Sequence, residues 1–167
     1  MSQLWLIIWR FQPLHKWHLL LIETSLRENP ATLILIGSIN KDDTENPYDY
    51  NIRKEFLQTE LSWENISIGW LIDVPGDAEW IDQILSFIPE QVQNIHLYCG
   101  DKKHDSAVQS LLKVQDTLPY TLTIHEIPRS IIPISATEIR RWISEKQYKK
   151  LSQYVGEKTL QKIKSYW

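Results

Sequence analysis

At 167 residues, 43% apolar and 23% charged, the chain has the length of one folded domain and an ordinary globular composition, not a disordered one. Its net charge of −3 argues against general nucleic-acid binding, and its one cysteine, Cys99, precludes an internal disulfide. No apolar run approaches the roughly 20 residues that span a bilayer, and Met1-Ser2-Gln3-Leu4 lacks the basic stretch and cleavage site of a signal peptide. The expected location is therefore the cytoplasm, with neither membrane nor nucleic acid among the partners.

In chain order, Leu4 to Trp9 (LWLIIW) and Thr32 to Gly37 (TLILIG) read as strands buried on both faces. Ile66 to Asp73, Ile95 to Cys99 and Thr121 to Ile127 supply three more. Helical spacing falls between them: His18 to Glu28, with Leu19, Ile22 and Leu26 on one face, then Ile52 to Leu61, Ala78 to Ile88 and Ser106 to Val114. From Ser135 onward the tail reads as two or three helices, broken at Gly156. This alternation predicts an α/β fold, a single Rossmann-like doubly wound parallel sheet of about five strands with a helical C-terminal tail. Residues 1–167 read as one domain, its C-terminal helices beginning at about residue 135. Ligands of such sheets bind beyond the carboxyl ends of the strands. The loops after Trp9, Ser38, Asp73 and Gly100, and the segment leading to Ser135, are the places to search.

Charge is uneven: from Ile139 to Trp167 eight Lys/Arg face two Glu. Solvated helix faces account for this, and a positive lip beside a phosphate site is the sharper alternative.

Two segments carry the chemistry. Arg10-Phe11-Gln12-Pro13-Leu14-His15-Lys16-Trp17-His18 brings two histidines to the first turn of a helix that follows a buried strand. There backbone N–H groups and the helix dipole favour an anion, and Arg10 and Lys16 add positive charge. Imidazole donates to a phosphate oxygen without a fixed charge. Zinc is the weaker reading of this pair, since no further ligand cluster accompanies it. In Ile134-Ser135-Ala136-Thr137-Glu138-Ile139-Arg140-Arg141, Ser135 is a natural N-cap and Glu138 completes a capping box. Thr137 and Arg140 share those first turns, so the same helix start also reads as a second anion site. Two such starts in one α/β domain point to a polyphosphate held between them.

These residues resemble the HxGH nucleotidyltransferase superfamily. The RFQP-type loop is similar to that of archaeal-type nicotinamide-nucleotide adenylyltransferases and of the related domain in bifunctional adenylyltransferase–Nudix proteins. The likeness continues through Ile36-Gly37-Ser38, Glu45-Asn46-Pro47, Arg53 and Gly100-Asp101-Lys102-Lys103. It implies transfer of AMP from ATP, with Mg2+, to nicotinamide mononucleotide (NMN), giving NAD and pyrophosphate by direct displacement. Catalysis would then rest on alignment and charge stabilisation, with no protein nucleophile. By the family pattern His18 meets the α-phosphate and His15 holds the triphosphate, with Arg10 and Arg140 beside them. Phe11, Gln12, Lys16, Gly100, Ser135 and Thr137 fall at its ATP and phosphate positions. Ser38, Asn46, Asp73 and Trp80 fall at its NMN positions. The Trp80 indole would stack on the nicotinamide ring, and its alternative role is as a core residue on the Trp80–Ile81–Ile84 helix face. His96 and His125 read as core or edge residues of strands, and His104 as a loop residue without a role. The metal ligands stay unassigned, and a homo-oligomer is compatible with the resemblance.

Pantetheine-phosphate adenylyltransferases and cytidylyltransferases share similar end motifs but usually lack the RFQP run. A non-catalytic nucleotide sensor is the alternative from another class. Neither NMN nor nicotinic acid mononucleotide is selected as acceptor by the sequence.

Where the family has glycine before the arginine and between the histidines, this chain has Trp9 and Trp17, in a composition of eight Trp and five Gly. Glycine there lets the backbone approach the nucleotide. Three readings stand: an active enzyme with both indoles turned aside, a decayed relative, or a gene whose UGA codons specify glycine. The third extends to Trp5, Trp63, Trp70 and Trp142, whereas Trp80 fits the family as it stands. UGG at codon 9 or 17 counts heavily against it.

Overall fold

The computed structural model describes residues 2–28, 31–61 and 65–166; Trp63 lies outside them. Five parallel strands, β1 (Ser2–Trp9), β2 (Thr32–Ile36), β3 (Ile66–Trp70), β4 (Val92–Cys99) and β5 (Thr121–Glu126), form one sheet in the order β3-β2-β1-β4-β5. Helices α1 (Lys16–Glu28), α2 (Tyr50–Glu60), α3 (Asp77–Ser86) and α4 (Ser106–Val114) connect the strands. The tail folds as α5 (Ala136–Ser144), α6 (Tyr148–Tyr154) and α7 (Glu157–Tyr166). The α/β fold expected from the alternation is thus present.

The continuous apolar run of β1 follows from its central place in the sheet. Alternate side chains point to opposite faces, so Trp5 and Ile7 enter a core shared with α1, α2 and the tail helices. Leu6 and Ile8 enter a second core under α3 and α4. Cys99 lies in this second core, where burial and the nearby Asp105 and Glu126 push its thiol up to about 11, so it is an inert apolar filler.

Element boundaries differ from the sequence expectation by up to three residues. Helix α1 begins at Lys16, placing Trp17 and His18 in its first turn. Strand β3 ends at Trp70, not Asp73. The Leu71 N–H still donates to Ile36 O (2.9 Å), but the amides of Ile72 and Asp73 donate to side-chain oxygens of Gln83 and Asn40 (3.0 and 2.8 Å). Side chains therefore replace the ladder and turn this segment outward.

The connections leave β1 toward β2 on one side and β4 on the other. The strand order thus reverses between β1 and β4, which opens a crevice at their carboxyl ends.

Candidate active site

A cleft of about 620 Å³ opens at that crevice, a size common for small-molecule sites. Ile8 to Arg10, Gly37, Ser38 and Asp73 line one side; Asp101, His104 and Asp105 line the other, with Trp80 and Arg129 at its edges. All four strand ends searched from the sequence contribute.

The histidine pair lies at the base of α1, with His15 1% and His18 3% exposed. Their rings stack at 3.7 Å, and the His15 backbone N–H donates to His18 Nδ1 (3.4 Å). With Nδ1 an acceptor, a neutral His18 carries its proton on Nε2 and has one N–H to offer a phosphate oxygen. Both rings are held neutral. Burial, then Arg129, bring His15 down to about 3; burial, then His15 and Arg129, hold His18 well below its ordinary value. Among the described residues, His15 Nδ1 is a buried atom with no hydrogen-bond partner.

The indoles of Trp9 and Trp17 meet edge-to-face at 5.2 Å and pack on the His18 ring at 5.5 and 5.7 Å. Trp17 is only 1% exposed. Gly100 makes room for it: a Cβ there would stand 2.9 Å from the Trp17 ring and 3.1 Å from Arg129 Cγ. Steric closeness is the requirement at this glycine. Phe11, at φ +52°, closes the opposite side of His18 at 5.0 Å, a left-handed conformation unusual for a bulky residue.

The other predicted residues divide into groups. Arg10, Ser38, Asp73 and Trp80 line the cleft. Ser38 Oγ donates to Asp73 Oδ1 (2.8 Å), and Arg10 reaches Asn46 Oδ1 (3.5 Å) and Glu45 (3.8 Å). Asn46 is buried and bonded to Asp43 (2.9 Å), so it shapes the loop. Trp80 lines the cleft while packing against the second core. Thr137 and Arg140 line a separate hollow of about 850 Å³ with Glu45, Tyr48 and Arg141. There Arg140 donates to Gln12 O (2.9 Å) and Thr137 Oγ1 (3.3 Å).

Three predicted side chains have other partners. Gln12 brackets the Tyr48 backbone, donating to its carbonyl (2.8 Å) and accepting from its N–H (3.1 Å). Lys16 turns away to Ser152 O (3.4 Å). Ser135 caps α5, its Oγ accepting from the Glu138 N–H (3.2 Å) and donating to the Glu138 carboxylate (3.0 Å), so the capping box is present. Arg53 is fully buried and donates to Arg10 O (3.0 Å), Gly37 O (2.7 Å) and Asp49 O (3.2 Å). It is an internal brace joining the ends of β1 and β2; burial lowers it to about 10, still charged at neutral pH.

Sequence reasoning missed Arg129 and left His104 without a role. Both line the cleft, and His104 Nδ1 bonds Asp101 (2.8 Å). Arg129 belongs to neither end motif, so no spacing marked it. His96 and His125 do lie on adjacent strands as half-buried residues, hydrogen-bonded to each other at 2.9 Å. Of the basic tail, Arg140 and Arg141 border the second hollow, while Lys162 pairs with Glu55 and Lys150 and Lys164 cover Trp142 and Tyr148. Those three lysines serve contacts between helices, away from the cleft.

No protein-family profile matches the chain. It is 31% identical over 88 residues to the nicotinamide-nucleotide adenylyltransferase of Thermoplasma volcanium and 32% identical over 88 residues to that of Thermoplasma acidophilum, in each case 50% of this chain and 49% of the relative. The matched stretch thus spans about half the length of these curated relatives. Among solved structures, a bifunctional NMN adenylyltransferase/ADP ribose pyrophosphatase from Francisella tularensis aligns with TM-score 0.66 and 23% identity, over 93% of this chain and 45% of that one. Plasmodium falciparum nicotinic acid mononucleotide adenylyltransferase aligns with TM-score 0.65 and 14% identity, over 99% and 96%. Over half its length the chain is similar in sequence to curated nicotinamide-nucleotide adenylyltransferases, and over nearly all of it the chain shares the fold of solved adenylyltransferases.

Proposed function

We propose that the chain is a nicotinamide-nucleotide adenylyltransferase: an oxygen of the NMN 5′-phosphate attacks the α-phosphorus of ATP, the bond to the bridging oxygen breaks, and pyrophosphate leaves. The observation that carries this is the stacked His15–His18 pair at the start of α1, which does not itself line the cleft but packs on Trp9, a residue of the cleft wall. His18, held neutral, would donate from Nε2 to the α-phosphate as charge builds, and His15 Nδ1 would gain its missing partner. Arg10 would neutralise phosphate charge at the cleft edge. By the resemblance, Ser135, Thr137 and Arg140 would hold the far phosphates, although Thr137 and Arg140 line the separate hollow in this structure, and Gly100 and Phe11 would shape the ground beneath the nucleotide. Trp80 at the rim fits a stacking role on the nicotinamide, with Ser38, Asn46 and Asp73 forming the adjoining NMN wall.

A divalent ion, Mg2+ in this proposal, enters on the triphosphate as part of the substrate. A structure of the Francisella relative in complex with AMP and a manganese ion supports divalent-metal use. We place the enzyme in the cytoplasm; no helix among the described residues is long and apolar enough to cross a membrane. The indoles over His18 favour one second reading, a nucleotide-binding domain that does not turn over.

NAD formation from NMN and Mg-ATP, with nicotinic acid mononucleotide run in parallel, separates these. Product from either acceptor supports the proposal and names the substrate. Binding of ATP and NMN without pyrophosphate release establishes the second reading, and a folded protein that binds neither overturns both.

A further inference from the structure

Arg129 sits in the short 3-10 turn Arg129–Ile131 between β5 and α5. Its guanidinium lies 4.7 Å from the Trp9 ring and 4.9 Å from the Trp17 ring. The turn is hitched to the same pair, since the Trp17 indole N–H donates to Pro128 O (3.4 Å). Arginine has five N–H donors in a planar fork. Here none makes a hydrogen bond or ion pair with a described residue, although the side chain borders the nucleotide cleft. The other nearby cations are committed: Arg10 to Asn46 and Glu45, Arg140 to Gln12 and Thr137, Lys16 to Ser152, Arg53 to backbone carbonyls. Among the described residues of the cleft wall, Arg129 is the arginine whose fork makes no hydrogen bond, although the Asp105 and Asp101 carboxylates across the cleft attract its charge.

Directly beneath it the two indoles press on His18, leaving that ring 3% exposed. A guanidinium held by ring faces and by the unbonded attraction of Asp105 and Asp101 leaves for a phosphate, because a bidentate charge-assisted pair is stronger than a solvent-edged cation–π contact or an ion attraction without hydrogen bonds.

We propose that Arg129 is a polyphosphate-binding residue and the latch of a plug: the incoming triphosphate draws its guanidinium off the Trp9–Trp17 pair, and the released indoles swing aside to uncover His18. This rests on the nucleotide reading above. It assigns the phosphate-contacting role to a residue outside both end motifs, and gives the two indoles a function peculiar to this chain.

The test pairs calorimetry with tryptophan emission, using Mg-ATP and inorganic tripolyphosphate as probes. The signal of the pair is the part of the emission change that a Trp9→Phe/Trp17→Phe variant loses. Each probe is expected to bind the unaltered chain and shift the pair's emission to the red, with the same Kd by both methods. Arg129→Gln should weaken binding of both probes at least tenfold and leave the emission already shifted; Arg129→Lys should fall between, keeping charge without the fork. Unchanged affinity in Arg129→Gln, or tight binding with no change in the pair's emission, overturns the latch while leaving the nucleotide reading intact. Failure of both probes to bind the folded unaltered chain overturns the latch and the nucleotide reading together.

Discussion

His18 illustrates how one side chain acquires its chemistry from its neighbours. Stacked on His15, edged by Phe11 and roofed by two indoles, its ring is dry enough to stay neutral, and the His15 N–H directs its own proton to Nε2. Replacing it by alanine should lower kcat roughly 10²–10³-fold, the usual loss for a donor aimed at developing charge, with circular dichroism unchanged. Trp9→Gly/Trp17→Gly should increase NAD formation by uncovering that ring, even as loss of the packed indoles lowers the thermal midpoint. Steady-state rates and melting curves of the two proteins decide this; activity lower than that of the unaltered chain means the indoles have become part of the site. Arg53 is functional only through position. Arg53→Met leaves the carbonyls of Gly37, Arg10 and Asp49 without their donor, and should cost on the order of 3 kcal/mol in urea unfolding.

Among the elements, helix starts carry both stability and site geometry. Asp49 caps α2 by accepting from the Ile52 N–H (2.9 Å), so Asp49→Ala should cost about 1 kcal/mol and loosen the helix that carries Arg53. At the other end of α2, a Glu60 carboxylate oxygen accepts from the Thr159 N–H (2.7 Å) in the first turn of α7. Gly156 lies so close that a Cβ there would meet this carboxylate at 2.1 Å. The glycine foreseen as a helix break is therefore also the clearance for a tertiary cap. Gly156→Ala should displace Glu60 and lower the melting temperature by several degrees. An unchanged melting curve would show that the carboxylate finds another route.

At the scale of the molecule, the buried histidines make stability depend on acid. His15 has a folded value near 3 against 6.5 when free, and His18 and His96 are shifted in the same direction by burial. The unfolded chain therefore binds more protons below pH 6.5. Stability is at its full value above that pH and falls as pH drops toward 3, by up to about 1.4 kcal/mol per pH unit for the buried His15, with His18 and the half-buried His96 acting in the same direction. Urea midpoints at pH 7, 6 and 5 should decline, and His15→Gln should flatten the slope.

The sequence by itself determined the parallel α/β sheet, because two-sided burial of β1 demands a continuous apolar run, and it determined the start of α5, because a cap acts within a few residues. It also marked His15 and His18 as a pair. Which of the marked residues face a cavity was decided only by the tertiary structure. Lys16 points at Ser152, Gln12 grips Tyr48 and Arg140 reaches Gln12, through partners 136, 36 and 128 positions away, and Thr137 and Arg140 open on a second hollow. Arg129 carries no motif, and it becomes part of the candidate site because β5 ends beside β4 and the loop beyond lays its guanidinium over the ring faces of Trp9 and Trp17. Spacing along a chain can place a side chain on a helix or strand face; whether that side chain meets solvent, a carbonyl or an indole depends on what the fold brings against it.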